Sequence, residues 1–168
     1  SKQKNSRMCM ICGLDNEYGV NAPFYNMEDG SVMTVFRYKE QHQSYPGRVH
    51  GGMITAMLDE MGLRSLWAKE LSEETFGVTI SLDTKYRKPV PYETELIGRG
   101  VVVKNTSHFI ITDSYIMDKD GEILANGRIK YIKMDTQKIQ EGVEVHEEMP
   151  YLVEDGRTEI EGPFFDNL

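Results

Sequence analysis

Between residues 51 and 70 the chain carries a stretch whose apolar residues do not keep to one side. Met53, Ile54, Ala56, Met57, Leu58, Met61, Leu63, Leu66 and Trp67 cover more than one face of a helix. A helix with a single apolar stripe lies on a surface, whereas one apolar around most of its girth needs cover on several sides. The spacing predicts a helix from about Gly51 to about Glu70, buried in the middle of another layer. That layer must come from the rest of a chain of 168 residues, the size of one ordinary domain.

Strand patterns supply it. Residues 31–40 alternate, with Val32, Thr34, Phe36 and Tyr38 on one side and Met33, Val35, Arg37 and Lys39 on the other. Four more strand-like runs follow the helix, over 77–87, 95–103, 108–117 and 123–134. In the first, Val78, Ile80, Leu82 and Tyr86 share one side, and Thr79, Ser81, Asp83, Lys85 and Arg87 the other. Lys88-Pro89-Val90-Pro91 breaks that run, and Asp120-Gly121 between the last two is a strong hairpin signal. Short connections favour antiparallel pairing, so the expected architecture is α+β: a curved antiparallel sheet wrapped around one long helix. This divides the chain into an irregular lead-in (1–30), a folded domain (31–135) and a C-terminal tail (136–168).

Charge separates the tail from the domain. The net charge of −8 is accounted for by residues 141–168, where nine carboxylates face a single cation, Arg157. A neutral domain with an acidic tail argues against nucleic acid as partner, but leaves room for an anionic small molecule held by a local basic patch. No apolar run approaches the ~20 residues of a membrane helix. The basic start, Ser1 to Arg7, has no apolar signal-peptide core, and two cysteines make no disulfide framework. The expected location is cytoplasmic.

The residues that carry chemistry gather at the head of the helix. His50-Gly51-Gly52 opens it, and two glycines there leave bare N–H donors able to bind a developing oxyanion. Two turns in stands Asp59, with no cation among its i±3 and i±4 neighbours, an expensive setting unless it faces a polar cleft. Such a carboxylate serves as base or nucleophile, and the pairing suggests acyl transfer. Its neighbour Glu60 has Arg64 four residues on and reads as a solvated ion pair. His50 is either a base or a hydrogen-bonding structural residue, the second being commoner for one His before a helix. Lys85, Arg87 and Lys88, with Arg99 and Lys104 nearby, form the best candidate for holding phosphates. Cys9 and Cys12 have the spacing of half a zinc site or a redox pair. No second pair exists and the four histidines are scattered, so they read as two small, partly buried residues.

Tyr45-Pro46-Gly47-Arg48-Val49-His50-Gly51-Gly52, the carboxylate at Asp59, Gly77-Val78-Thr79 and Tyr86-Arg87-Lys88-Pro89 together resemble the hotdog-fold acyl-CoA thioesterases, in particular their PaaI-like branch. The likeness covers roughly residues 9–134, including a lead-in from Cys9 to Gly19 of a kind often found before such domains. It implies a hotdog fold, with the helix enclosed by the sheet, and a homodimer or dimer of dimers with active sites at the subunit interface. It implies an acyl-CoA substrate whose carbonyl is polarised by the Gly51 N–H. Asp59 of the other subunit then acts as base or nucleophile, and Thr79 orients the water; no metal or redox cofactor is required. Gly52, Gln43, Ser44, Lys85, Arg87 and Lys88 are the expected substrate contacts. One position departs from the pattern: six residues before the motif His, where relatives commonly have Asn or Gln, stands Ser44, with Gln43 beside it. That departure keeps open a noncatalytic acyl-CoA-binding or sensing module on the same fold.

Overall fold

The computed structural model describes residues 1–134, 149–157 and 159–161. In chain order the elements are β1 (Tyr25–Asn26), β2 (Val32–Phe36), a 3-10 turn (Glu40–His42), α1 (Gly51–Glu70), β3 (Phe76–Tyr86), β4 (Leu96–Asn105), β5 (Phe109–Met117) and β6 (Ile123–Met134). One antiparallel sheet runs β1-β2-β4-β5-β6-β3, and α1 packs along its inner face. This is the hotdog arrangement. The helix occupies the residues its apolar pattern marked, and short β1, inside the lead-in, is the strand the alternation did not show. No helix among the described residues is long and apolar enough to cross a membrane.

The helix is seated by a close approach. A Cβ at Gly98 or Gly100 on β4 would lie 2.4 Å from Met61 Sδ or 2.5 Å from Met61 O, and one at Gly62 would lie 2.1 Å from Tyr131 Oη. Small residues on both sides let the α1 backbone sink onto the sheet, where Met57, Leu58, Met61 and Leu66 are fully buried.

Two bulges change what strand alternation alone would give. In β3 the register slips between Thr79 and Ser81 against β6, leaving Ile80 as the extra residue, and β4 slips between Val102 and Lys104. A bulge inverts side-chain parity beyond it. Thr79 therefore shares the helix-facing side with Leu82, Thr84 and Tyr86, whereas an unbroken period of two separates Thr79 from Leu82 and Tyr86. Val78 and Ile80 turn outward, 44% and 48% exposed.

Lead-in and tail are both fastened to the domain. Arg64 is 1% exposed; its guanidinium bonds Glu60 Oε1 (2.8 Å), Gln3 Oε1 (3.2 Å) and Lys4 O (3.0 Å) and stacks over Phe24, 4.3 Å from the ring centroid. The solvated pair expected for Glu60 and Arg64 is thus a buried clamp, because the lead-in covers the helix face that carries it. At the other terminus Tyr151 bridges to Asn5, Asp155 bonds Lys2 and Tyr25, and Ile160 packs on the outer-face cluster of Met33, Ile97 and Met117.

Candidate active site

The loop before α1 delivers His50 as the helix cap. Its Nδ1 accepts the Gly52 N–H at 2.9 Å, and its own N–H donates to the His42 carbonyl at 2.8 Å. His42 is itself buried, accepting the Lys39 N–H at Nδ1 and lying 2.6 Å from Tyr18 O through Nε2; burial lowers its pKa. The cap takes up the donor of Gly52, so the first glycine is the one left open. The Gly51 N–H has no acceptor among the described residues and stands at the positive end of the helix dipole.

From that end a polar seam runs down between α1 and β3. Gly51, Thr55 and Asp59 recur every four residues on one helix face, opposite Tyr86, Thr84 and Thr79 on the strand running the other way. Tyr86 Oη lies 3.1 Å from Gly51 O, and Thr55 Oγ1 lies 2.7 Å from Tyr86 Oη and 3.1 Å from Thr84 Oγ1. At the far end Thr79 Oγ1 donates to Asp59 Oδ1 at 2.7 Å, and Tyr131 Oη donates to the Asp59 main-chain carbonyl at 2.6 Å. Burial raises the Asp59 pKa against the opposing hydrogen bond from Thr79, and the neighbouring Glu60 charge adds to the rise. No cation among the described residues pairs with it.

Asp59 and Thr79 are thus brought together, but Asp59 and the open N–H of Gly51 are not. Eight residues of helix at 1.5 Å each separate them by about 12 Å, too far for both to serve one carbonyl. Gln43 and Ser44 sit in the exposed loop before the helix, Gln43 Oε1 3.5 Å from Tyr92 Oη and the Ser44 N–H on Arg48 O at 2.9 Å. Lys85, Arg87 and Lys88 are exposed around the Tyr86 end of the seam. Arg87 Nε donates to Asn126 Oδ1, and Lys88 is paired with Glu122. In the sequence Tyr86 stands out only as part of the Tyr86-Arg87-Lys88-Pro89 motif, and Thr55, Thr84 and Tyr131 do not stand out as site residues. The four-residue step from Gly51 to Thr55 to Asp59 was a visible signal for Thr55; nothing local marks Tyr131.

Elsewhere, Cys9 and Cys12 lie at the back of α1, where the Cys9 thiol is 3.7 Å from Glu60 Oε2. The hydrogen bond from Cys12 lowers the Cys9 pKa to about 7, against burial and the Glu60 charge, while the same bond and burial push Cys12 upward.

Fold and sequence converge on a class. The thioesterase superfamily model matches residues 46–125, the span from the loop before the helix into β6. Together with the hotdog sheet, this makes the domain similar to proteins of the thioesterase superfamily. Among curated proteins, the chain is 26% identical over 127 residues to acyl-coenzyme A thioesterase THEM4 of Rattus norvegicus, covering 75% of this chain and 52% of the relative. It is 23% identical over 100 residues to human acyl-coenzyme A thioesterase 13, covering 59% and 70%. The chain thus spans about half the length of the THEM4 relative. A crystal structure of a thioesterase superfamily protein superposes with a TM-score of 0.66 at 26% identity, covering 74% of this chain and 63% of that one.

Proposed function

We propose that this protein hydrolyses acyl-CoA thioesters in a homodimer whose two sites each combine Gly51 of one subunit with Asp59 and Thr79 of the other. The observation that carries the reading is the half-buried carboxylate of Asp59, held at Oδ1 by Thr79 and paired with no cation among the described residues. Thr79 leaves Oδ2 for a water molecule or for the thioester carbon itself. In the general-base form Asp59 takes a proton from water as its oxygen attacks the carbonyl; in the nucleophilic form it makes an anhydride that water then opens. In either, charge growing on the carbonyl oxygen is met by the Gly51 N–H at the helix start, and CoA leaves as thiolate. The raised pKa, which burial causes, makes Asp59 a stronger base than an exposed aspartate.

The ~12 Å between the two groups within one helix is the physical reason for a second subunit. The open edge of the sheet is where it would dock. Among the described residues β3 pairs only with β6, and its other edge carries outward Val78 and Ile80 beside Thr79. Pairing β3 with β3 of a second copy satisfies that edge and sets the helices side by side. Lys85 and Arg87 flank Tyr86 at the Gly51 end, a position suited to CoA phosphates.

Thiol release from short, medium, long and aromatic acyl-CoAs, measured for wild type and Asp59→Asn, tests the reading. Release by wild type that falls about 10²–10⁴-fold in the variant supports it. Acyl-CoA binding with no release from any of them replaces it with the noncatalytic binding module.

A further inference from the structure

We propose that Cys9, Cys12 and Glu60 form a binding site for one Zn²⁺-class ion, with two thiolates and a carboxylate as protein ligands and the fourth position left to water. Spacing along the chain gives only half of such a site; the fold brings the third donor from α1. The two sulfurs and a Glu60 oxygen all lie within 4.8 Å of one another. A tetrahedral ion with bonds of about 2.3 Å to sulfur and 2.1 Å to oxygen sets those ligands about 3.6 Å apart. Cys9 Sγ and Glu60 Oε2 are 3.7 Å apart.

The loop is built around its first sulfur. The Ile11 N–H points at Cys9 Sγ at 3.4 Å, and the Gly13 N–H closes the turn on Cys9 O at 2.8 Å. A Cβ at residue 13 would lie 2.5 Å from both Cys9 N and Cys9 O, so the turn closes only with glycine there. Backbone N–H groups aimed at a sulfur favour the thiolate that a metal requires.

Glu60 is oriented for the task. Its Oε1 is tied to Arg64 Nε at 2.8 Å, which turns Oε2 toward Cys9, the arrangement in which an outer residue fixes a metal-binding carboxylate. Arg64 also settles the charge. Two thiolates and one carboxylate are balanced by a divalent ion together with the buried guanidinium, so the occupied cluster is neutral. Sulfur donors select Zn²⁺ over Mg²⁺ or Ca²⁺. Such an ion would bind the lead-in to the central helix, one residue from Asp59 along α1.

The test needs no acyl-CoA, so its outcome is independent of the hydrolysis reading. Full-length protein, reduced, stripped with a chelator and desalted, is titrated with Co²⁺ and then Zn²⁺. The expected result is one Co²⁺ per chain, with a thiolate-to-cobalt charge-transfer band that Zn²⁺ abolishes, and a melting temperature raised by Zn²⁺. Cys9→Ser and Cys12→Ser remove the band and the Zn²⁺-dependent rise. Glu60→Gln keeps a band and weakens Zn²⁺ binding at least tenfold. Cys9→Ser leaves the Glu60–Arg64 pair in place, so it decides the matter once circular dichroism shows it folded. Absence of band and uptake in reduced, folded wild type overturns the proposal. So does uptake that neither serine variant changes, or a Cys9–Cys12 disulfide that takes up no metal after reduction.

Discussion

Asp59 is held at two atoms for two different purposes. Thr79 meets its carboxylate, and Tyr131, from the strand opposite, meets its main-chain carbonyl and so fixes the helix turn on which the carboxylate rides. Asp59→Asn keeps the Thr79 hydroxyl satisfied by an amide oxygen, so the expected outcome is lost turnover with a melting temperature near wild type. Gly62 tests the fit beneath it. An added methyl would lie 2.1 Å from Tyr131 Oη and 2.4 Å from Thr112 Oγ1, both in a packed interior. Gly62→Ala is expected to lose about 1–3 kcal/mol of stability in denaturant unfolding, as overpacked cores do, and to lower turnover by disturbing Tyr131.

At the scale of elements, α1 is held from both sides. The sheet covers one side, and the lead-in closes the other through Arg64, which bridges Glu60, Gln3 and Lys4 beneath Phe24. Removing one partner of a buried ion pair leaves the other uncompensated, at a cost of about 3–5 kcal/mol. Arg64→Met is therefore expected to destabilise the fold by up to that amount in urea unfolding, and to expose residues 1–13 to early proteolysis. Much of this layer was legible in sequence: the helix, the five longer strands and their order along the chain follow from periodicity and turn residues. The buried state of Arg64 was not. A Glu and an Arg four apart have the same spacing on a wet face as under a covering segment, and only the path of residues 1–24 decides between them.

For the whole molecule, the free edge of β3 and the tail make separate predictions. If β3 is the dimer strand, a charge at its outward positions blocks pairing. Ile80→Lys is expected to sediment as a monomer and to lose thiol release, while its far-ultraviolet circular dichroism stays that of wild type. A variant that remains dimeric and active would move the interface elsewhere. The tail has a pH signature. Burial raises the Asp155 pKa, but hydrogen bonds from Lys2 and Tyr25 outweigh it and hold the carboxyl at about 2, below its ordinary 3.8. A lowered folded pKa stabilises above the ordinary value, and that contribution fades as pH falls through the folded one. The melting-temperature advantage of wild type over Asp155→Asn is therefore expected to be full above pH ~4 and to shrink toward pH ~2.

The sequence by itself determined the buried helix, the antiparallel partners that surround it and the presence of an unpaired aspartate two turns from a His-Gly-Gly cap. Those follow from hydrophobic periodicity and from the cost of a lone charge, which are properties of neighbouring residues. The tertiary structure decided the rest. The bulge at Ile80 turned Thr79 toward Asp59, because one extra residue reverses every side chain beyond it. The lead-in carried Cys9 and Cys12 to Glu60. Each depends on where distant segments cross in space, which no local pattern encodes.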